Sequence, residues 1–140
     1  MRVLIVDDYP GTANAVSRLL RDAGHECRSE TSGTRALSAV NAFVPELAIL
    51  DIGLPDVDGY ALVDSLRRRF LFCPPYFVAM SGWKHALAAA LEVGFDACLL
   101  KPASQVQLLR LVELAQRRQL SHGPDRDLGG AEARDDGKVV

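Results

Sequence analysis

Four short apolar runs of this chain each end in polar residues able to take part in phosphate or metal chemistry. Val3-Leu4-Ile5-Val6 leads into Asp7-Asp8, Leu47-Ala48-Ile49-Leu50 into Asp51, Tyr76-Phe77-Val78-Ala79-Met80 into Ser81-Gly82, and Cys98-Leu99-Leu100 into Lys101-Pro102. Three carboxylates brought together repel one another and push at least one pKa upward unless a hard divalent cation neutralises them. Mg²⁺ suits such a cluster, because it takes one or two carboxylates, keeps several waters and leaves room for a phosphate oxygen; Mn²⁺ is the alternative occupant. Ca²⁺ would want more oxygen ligands. Lys101 supplies a mobile point charge that can pair with Asp51 at rest and with an incoming phosphoryl oxygen afterwards. Ser81 offers a hydroxyl to another such oxygen, Gly82 has no side chain to obstruct it, and Gly53 leaves its backbone carbonyl free to approach a metal. Asp7, Asp8, Asp51 and Gly53 are thus the metal candidates, and Ser81, Gly82 and Lys101 the phosphoryl-binding candidates, of a site that can surround a phosphorylated carboxylate.

These groups need elements that bring them together. Short apolar runs bounded by turn residues read as buried parallel strands, and in an open α/β sheet the ligand crevice lies at the carboxyl ends of the strands. The runs alternate with helical stretches, the pattern of a doubly wound sheet covered by helices on both faces. Five strand-helix units are expected, with strands near residues 3–6, 26–30, 47–51, 76–80 and 97–100. Helices are expected over 11–23, from the 31–33 loop to Val44, from Asp58 onward, over 84–93 and over 104–120. Gly24 and Gly94 are the stops of the first and fourth helices, and Val44-Pro45 that of the second, since Pro disfavours helix in the residue before it. Ala36, Leu37, Val40 and Phe43 fall at helical spacing in that second helix. Arg67-Arg68-Arg69 sits where cations suit a helix end, and reads as a solvated terminus rather than a nucleic-acid patch.

A length of 140 residues is one domain's worth of chain, and a net charge of -2 with 49% hydrophobic residues describes an ordinary globular protein. No strongly basic surface for direct nucleic-acid binding is expected, and no apolar run approaches the roughly 20 residues of a membrane span. Cys27, Cys73 and Cys98 form no C-x-x-C pair and are odd in number, which favours reduced thiols and a cytoplasmic location, as does the absence of a leader before the first strand. His25, His85 and His122 have no partner at metal-ligand spacing, and Thr34, Ser38 and Ser104 read as helix-start or surface hydroxyls. Residues 121–140 are rich in Gly, Asp and Arg and read as a disordered tail behind a folded domain of residues 1–120, too short for an output domain.

Asp7-Asp8, the segment LAILDIGLPDVDGY, Ser81 in VAMSGW and Lys101 in LLKP, in that order, resemble the receiver (CheY-like) domain of two-component response regulators. Singly these motifs are weak; Leu54-Pro55 and Asp58-Gly59 at fixed offsets from Asp51, with the other pieces at matching spacing, are strong. The resemblance implies a flavodoxin-like (βα)5 sandwich with a five-stranded parallel sheet of order 2-1-3-4-5. It implies Asp51 as phosphoacceptor from a phosphohistidine, Asp8, Asp51 and the Gly53 carbonyl as direct Mg²⁺ ligands, and Asp7 acting mainly through water. It further implies Lys101 and Ser81 on the phosphoryl oxygens, a cis bond before Pro102, and Gly53 and Trp83 as positions that tune dephosphorylation.

The segments VGFDACLLKP and DIGLPDVDGY look more like receivers of hybrid sensor kinases. Cys98 stands where such domains usually carry a switching aromatic, so a thiol that is a small, near-apolar filler should couple weakly to an output. The implied partners are a sensor histidine kinase or a histidine phosphotransfer protein and an unknown downstream protein, with homodimerisation through the fourth helix, fifth strand and fifth helix as a further implication. The rival reading is a phosphorylation-independent interaction module of the same fold. An aspartate-nucleophile phosphatase is disfavoured because residue 53 is Gly rather than a general-acid Asp. A flavodoxin-like nucleotide binder would be repelled by Asp7-Asp8 where its phosphate loop should lie.

Overall fold

The structure, a computed structural model, describes residues 1–121 and 138–139. Its elements are β1 (Arg2–Val6), α1 (Pro10–Asp22), β2 (Glu26–Glu30), α2 (Gly33–Ala39), β3 (Leu47–Asp51), α3 (Gly59–Arg69), β4 (Tyr76–Ser81), α4 (Lys84–Glu92), β5 (Ala97–Leu100), α5 (Gln105–Ser121) and β6 (Lys138–Val139). The sheet is parallel throughout, and β1 to β5 stand in the order 2-1-3-4-5 of a flavodoxin-like fold. Every residue of β3 and β4 is buried, which is why both read as continuous apolar runs rather than as alternating ones. Within β1 the side chains still divide by face. Val3 and Ile5 join the core under α1 and α5 with Leu20, Leu108 and Leu111, while Leu4 and Val6 join that under α2, α3 and α4 with Ala36, Leu62 and Leu66.

Local chemistry explains most helix boundaries. Pro10 opens α1 at the first helical position, where its missing N–H is no loss. Asp58 caps α3 by accepting from the N–H groups of Tyr60 at 2.6 Å and Ala61 at 3.2 Å. Ser104 and Gln107 form a reciprocal capping pair before α5, with bonds of 2.9 and 3.1 Å. Gly24 and Gly94 take positive φ of 97° and 105° at the ends of α1 and α4, the left-handed exit that glycine allows.

The second helix is shorter than its periodicity predicts. It ends at Ala39, and the chain tightens through bonds from Asn41 N–H to the Ser38 carbonyl and from Ala42 N–H to the Ala39 carbonyl, 3.2 and 3.1 Å long. Val40 stays 1% exposed, so the apolar positions keep their burial while the backbone turns early to reach β3. The arginines closing α3 are not simply solvated. Arg67 donates to the carbonyls of Val93 and Gly94 beyond α4, with its guanidinium 5.1 Å from the Phe77 ring centroid, and Arg68 pairs with Asp64. Most of the expected tail, residues 122–137 and 140 with His122 among them, lies outside the described residues. Ser121 still belongs to α5, and Lys138 and Val139 pair in parallel with Ala97 and Cys98, adding a sixth strand to the β5 edge.

Candidate functional site

Parallel pairing in register places the strand ends side by side: Val6 lies opposite Leu50, and Asp51 opposite Met80, the residue before Ser81. Asp7, Asp8 and Asp51 converge there, with one carboxylate oxygen from each lying within 4.8 Å of the others. A single local device orients three of the site's side chains. Asp7 Oδ1 accepts from the Tyr9 N–H at 2.9 Å, Asp51 Oδ1 from the Gly53 N–H at 2.9 Å, and Ser81 Oγ from the Trp83 N–H at 3.1 Å. In each case a polar side chain at a strand end bonds the backbone two residues on, which starts the turn and fixes the side chain together.

The second oxygen of each carboxylate faces Lys101, whose Nζ lies 2.7 Å from Asp7 Oδ2 and 3.1 Å from Asp51 Oδ2. The lysine is delivered by the end of β5, where its N–H bonds the Ser81 carbonyl at 2.8 Å and its peptide bond to Pro102 is cis. Burial pulls the Lys101 ammonium down, but its bonds to Asp7 and Asp51 and their charges outweigh this and raise it overall. Asp7 is fully buried, and that burial raises its carboxyl despite Lys101 and the Tyr9 N–H; the Asp51 charge adds to the rise. Asp51 and Ser81 are each 6% exposed, whereas Asp8 stands open to solvent.

These residues fit a hard divalent cation. Three carboxylates face one ammonium, so the cluster keeps negative charge that Lys101 alone does not balance and that a cation would neutralise. Removing a charge that burial disfavours should therefore strengthen the metal-free protein. Asp7→Asn is expected to raise unfolding stability by about 1 kcal/mol without divalent cations, within the usual gain at strained functional sites. The sign with pH follows from the raised Asp7 pKa. Metal-free wild-type protein gains stability as pH falls through that raised value, because the native state takes up a proton before the unfolded chain does. Urea unfolding of both proteins across this acid range checks it, the gain being absent from Asp7→Asn.

Gly53 and Gly82 flank the carboxylate and hydroxyl, and a Cβ at Gly82 would meet nothing within 4 Å, so that side of Ser81 is open. Trp83 is the N-cap residue of α4 and is 69% exposed, with its ring 6.2 Å from that of His85 in the first turn of the helix. Cys98 lies fully buried in the apolar cluster beneath α4, its thiol raised by that burial. Asp56, to which the sequence alone assigns no role, bonds Gly33 and Thr34 across 22 to 23 positions of chain, a distance over which no local pattern speaks. A broad surface depression of 680 Å³ lies at the opposite end of the sheet beside the Arg2 and Glu46 pair and has no share in this convergence. Among the described residues, no helix is long and apolar enough to cross a membrane.

Residues 3–113 match the family described as the response regulator receiver domain. The chain is 29% identical over 104 residues to the sensor histidine kinase RcsC of Salmonella typhimurium, covering 74% of this chain and 11% of that protein. It is 29% identical over 130 residues to the transcriptional regulatory protein TcrA of Mycobacterium tuberculosis, covering 92% of this chain and 51% of that protein. It therefore spans between about a tenth and about half of the length of these curated relatives. Among solved structures, a CheY-like receiver domain from Methylobacillus flagellatus is 34% identical with a TM-score of 0.75, over 82% of this chain and 98% of that one. The receiver domain of NtrX from Brucella abortus is 31% identical with a TM-score of 0.74, over 82% and 98%. With matching strand order, strand-end chemistry and sequence, the chain belongs to the receiver domains of two-component response regulators.

Proposed function

We propose that this receiver domain accepts a phosphoryl group on Asp51 from a phosphohistidine of a sensor histidine kinase or histidine phosphotransfer protein. The reaction is Mg²⁺-dependent, and the signal leaves through protein contacts or by phosphorelay. The observation that carries this reading is Lys101 Nζ held 2.7 Å from Asp7 and 3.1 Å from Asp51 where three carboxylates converge. An Asp51 oxygen attacks the phosphorus, the P–N bond breaks with its electron pair going to the imidazole, and the imidazole takes up a proton from solvent. The Gly53 N–H keeps the Asp51 carboxylate in one orientation, which makes the step mainly one of positioning. Lys101 exchanges Asp51 for a phosphoryl oxygen, and the Ser81 hydroxyl donates to another. Asp8, Asp51 and the Gly53 carbonyl would hold Mg²⁺, with Asp7 acting through water; when bound, the ion neutralises charge on the phosphoryl oxygens.

Cys98, buried and without a ring to rotate, favours holding or passing the phosphoryl group over aromatic-coupled output. The free thiols Cys27, Cys73 and Cys98 support a reducing, cytoplasmic setting. Incubation with a small acyl-phosphate donor and Mg²⁺ tests the reading by intact-mass measurement. Wild-type protein should gain one phosphoryl group, and the gain should vanish on chelation of Mg²⁺ and in Asp51→Asn. A wild-type protein left unlabelled even by its kinase would overturn the reading in favour of a phosphorylation-independent interaction module.

The exposed indole of Trp83, one residue past Gly82, adds an expectation about lifetime. Shielding of the acyl phosphate from water by this ring makes autodephosphorylation slow. Trp83→Ala should shorten the phosphoryl half-life severalfold, followed by loss of label with time; an unchanged half-life removes the shielding role.

A further inference from the structure

The loop between β3 and α3, residues 52–58, carries the Gly53 carbonyl and the turn that orients Asp51, and it is fastened at a distance to α2. Asp56 accepts three hydrogen bonds from the first residues of that helix: from the Gly33 N–H at 3.0 Å, the Thr34 N–H at 3.0 Å and the Thr34 hydroxyl at 2.7 Å. These donors, the Thr34 hydroxyl first among them, hold the Asp56 carboxyl far below the usual carboxylate range. A separate contact marks the same junction. A Cβ on Gly33 would lie 2.7 Å from Val57 Cβ, so Val57 approaches α2 as closely as a residue without a side chain permits.

Between Asp56 and Gly53 the chain has little freedom to absorb a shift. Pro55 locks its own φ and restricts Leu54, and Leu54 is 7% exposed. The far side of the loop is equally set, because a Cβ on Gly59 would lie 2.5 Å from Ile52 Cα. We propose that Asp56 is a positioning residue for the phosphoacceptor site: its clasp on Gly33 and Thr34 sets where the Gly53 carbonyl stands and so sets Mg²⁺ affinity. This rests on the reading of Asp8, Asp51 and Gly53 as metal ligands. The device lies outside the carboxylate cluster.

Mg²⁺ titration followed by calorimetry and by the emission of Trp83, the chain's single tryptophan, tests the clasp without any phosphoryl donor. Asp56→Ala should raise the Mg²⁺ Kd about tenfold, the lower end of what loss of a ligand-orienting partner costs. Thr34→Val, which deletes one of the three bonds, should raise it by a smaller factor. Ser32→Ala is the control, since Ser32 Oγ caps the same helix by accepting from the Arg35 N–H at 3.1 Å and takes no part in the clasp. It should loosen α2 and leave the Mg²⁺ Kd at the wild-type value. An Asp56→Ala protein that binds Mg²⁺ as tightly as wild type overturns the inference, and so does a Ser32→Ala protein weakened as much, because helix stability alone would then explain the effect. Should Asp56→Ala not fold, Thr34→Val decides in its place: a raised Kd supports the clasp, and an unchanged one overturns it. A wild-type protein that binds no Mg²⁺ instead overturns the reading of the site itself, a result distinct from variants that bind as wild type does.

Discussion

Lys101→Ala is expected to lower stability by about 3 kcal/mol at neutral pH without divalent cations, and to slow phosphoryl transfer onto Asp51 by about two to three orders of magnitude. Both effects have one origin. The ammonium is the cation in contact with Asp7 and Asp51, whose side chains are 0% and 9% exposed, and its removal leaves two buried carboxylates facing each other. The lysine side chain itself is 26% exposed, so water admitted at the vacated position limits the loss to the lower end of the range for a broken buried pair. The pH dependence has a definite sign. Burial already raises the Asp7 carboxyl, and loss of Lys101 raises it further, so the destabilisation is complete above that native value and shrinks as pH falls through it. Mg²⁺ should restore much of the stability, since a ligand bound only by the native state shifts unfolding by mass action. Urea unfolding with and without Mg²⁺ reads all three effects. A variant that unfolds at the wild-type midpoint in every condition would show that the carboxylates are not held by this lysine. The rate effect is read separately, from the kinetics of labelling by the small phosphodonor at saturating Mg²⁺.

Phe77→Ala should cost about 4 kcal/mol, the middle of the range for truncating a buried aromatic. Phe77 is 1% exposed on β4, in the core beneath α2, α3 and α4, where Leu62, Leu66 and Ala90 close around the sheet. Its surroundings resist collapse. The Phe77 N–H donates to Asp96 Oδ2 at 2.8 Å, and Arg67, which lies over the ring, is tied to carbonyls at the end of α4. The cavity left by the ring would therefore persist, and the cost would include it as well as the lost burial. In urea the midpoint should fall while the slope stays at the wild-type value, because the surface exposed on unfolding changes little. A loss below about 2 kcal/mol would show that the α3 and α4 side chains refill the space. Ser81 stands at the other end of the same strand, so folded Phe77→Ala protein should retain Asp51 labelling, which separates a stability effect from a chemical one.

Much of the fold was legible because burial on both faces of a parallel sheet writes each inner strand as an uninterrupted apolar run. The boundaries of β2 and β5 agree with the expected ones, and Asp58, Gly24 and Gly94 end or begin helices through chemistry carried by one or two residues. The end of α2 was not legible. Val40 and Phe43 keep helical spacing, yet the chain leaves the helix after Ala39 because the route to β3 requires a tight turn there, a demand set by the sheet and not by propensity. The arginines of α3 likewise found carbonyls and an aromatic ring on α4 and β4 that their own neighbourhood does not announce.

The sequence by itself determined which groups stand at the strand ends, since an apolar run closed by Asp, Ser or Lys specifies both the strand and its last residue. It also determined the turns behind them, because a side-chain oxygen bonding the N–H two residues on is a local interaction. Only the tertiary structure decided that Lys101 stands between Asp7 and Asp51, that Asp56 closes on α2, and that Lys138 and Val139 extend the β5 edge. Those outcomes depend on strand order and register between segments far apart in the chain, Lys101 and Asp51 standing 50 positions apart and Asp7 farther still, where each contact is one of many that the same local pattern would permit until the packed sheet selects it.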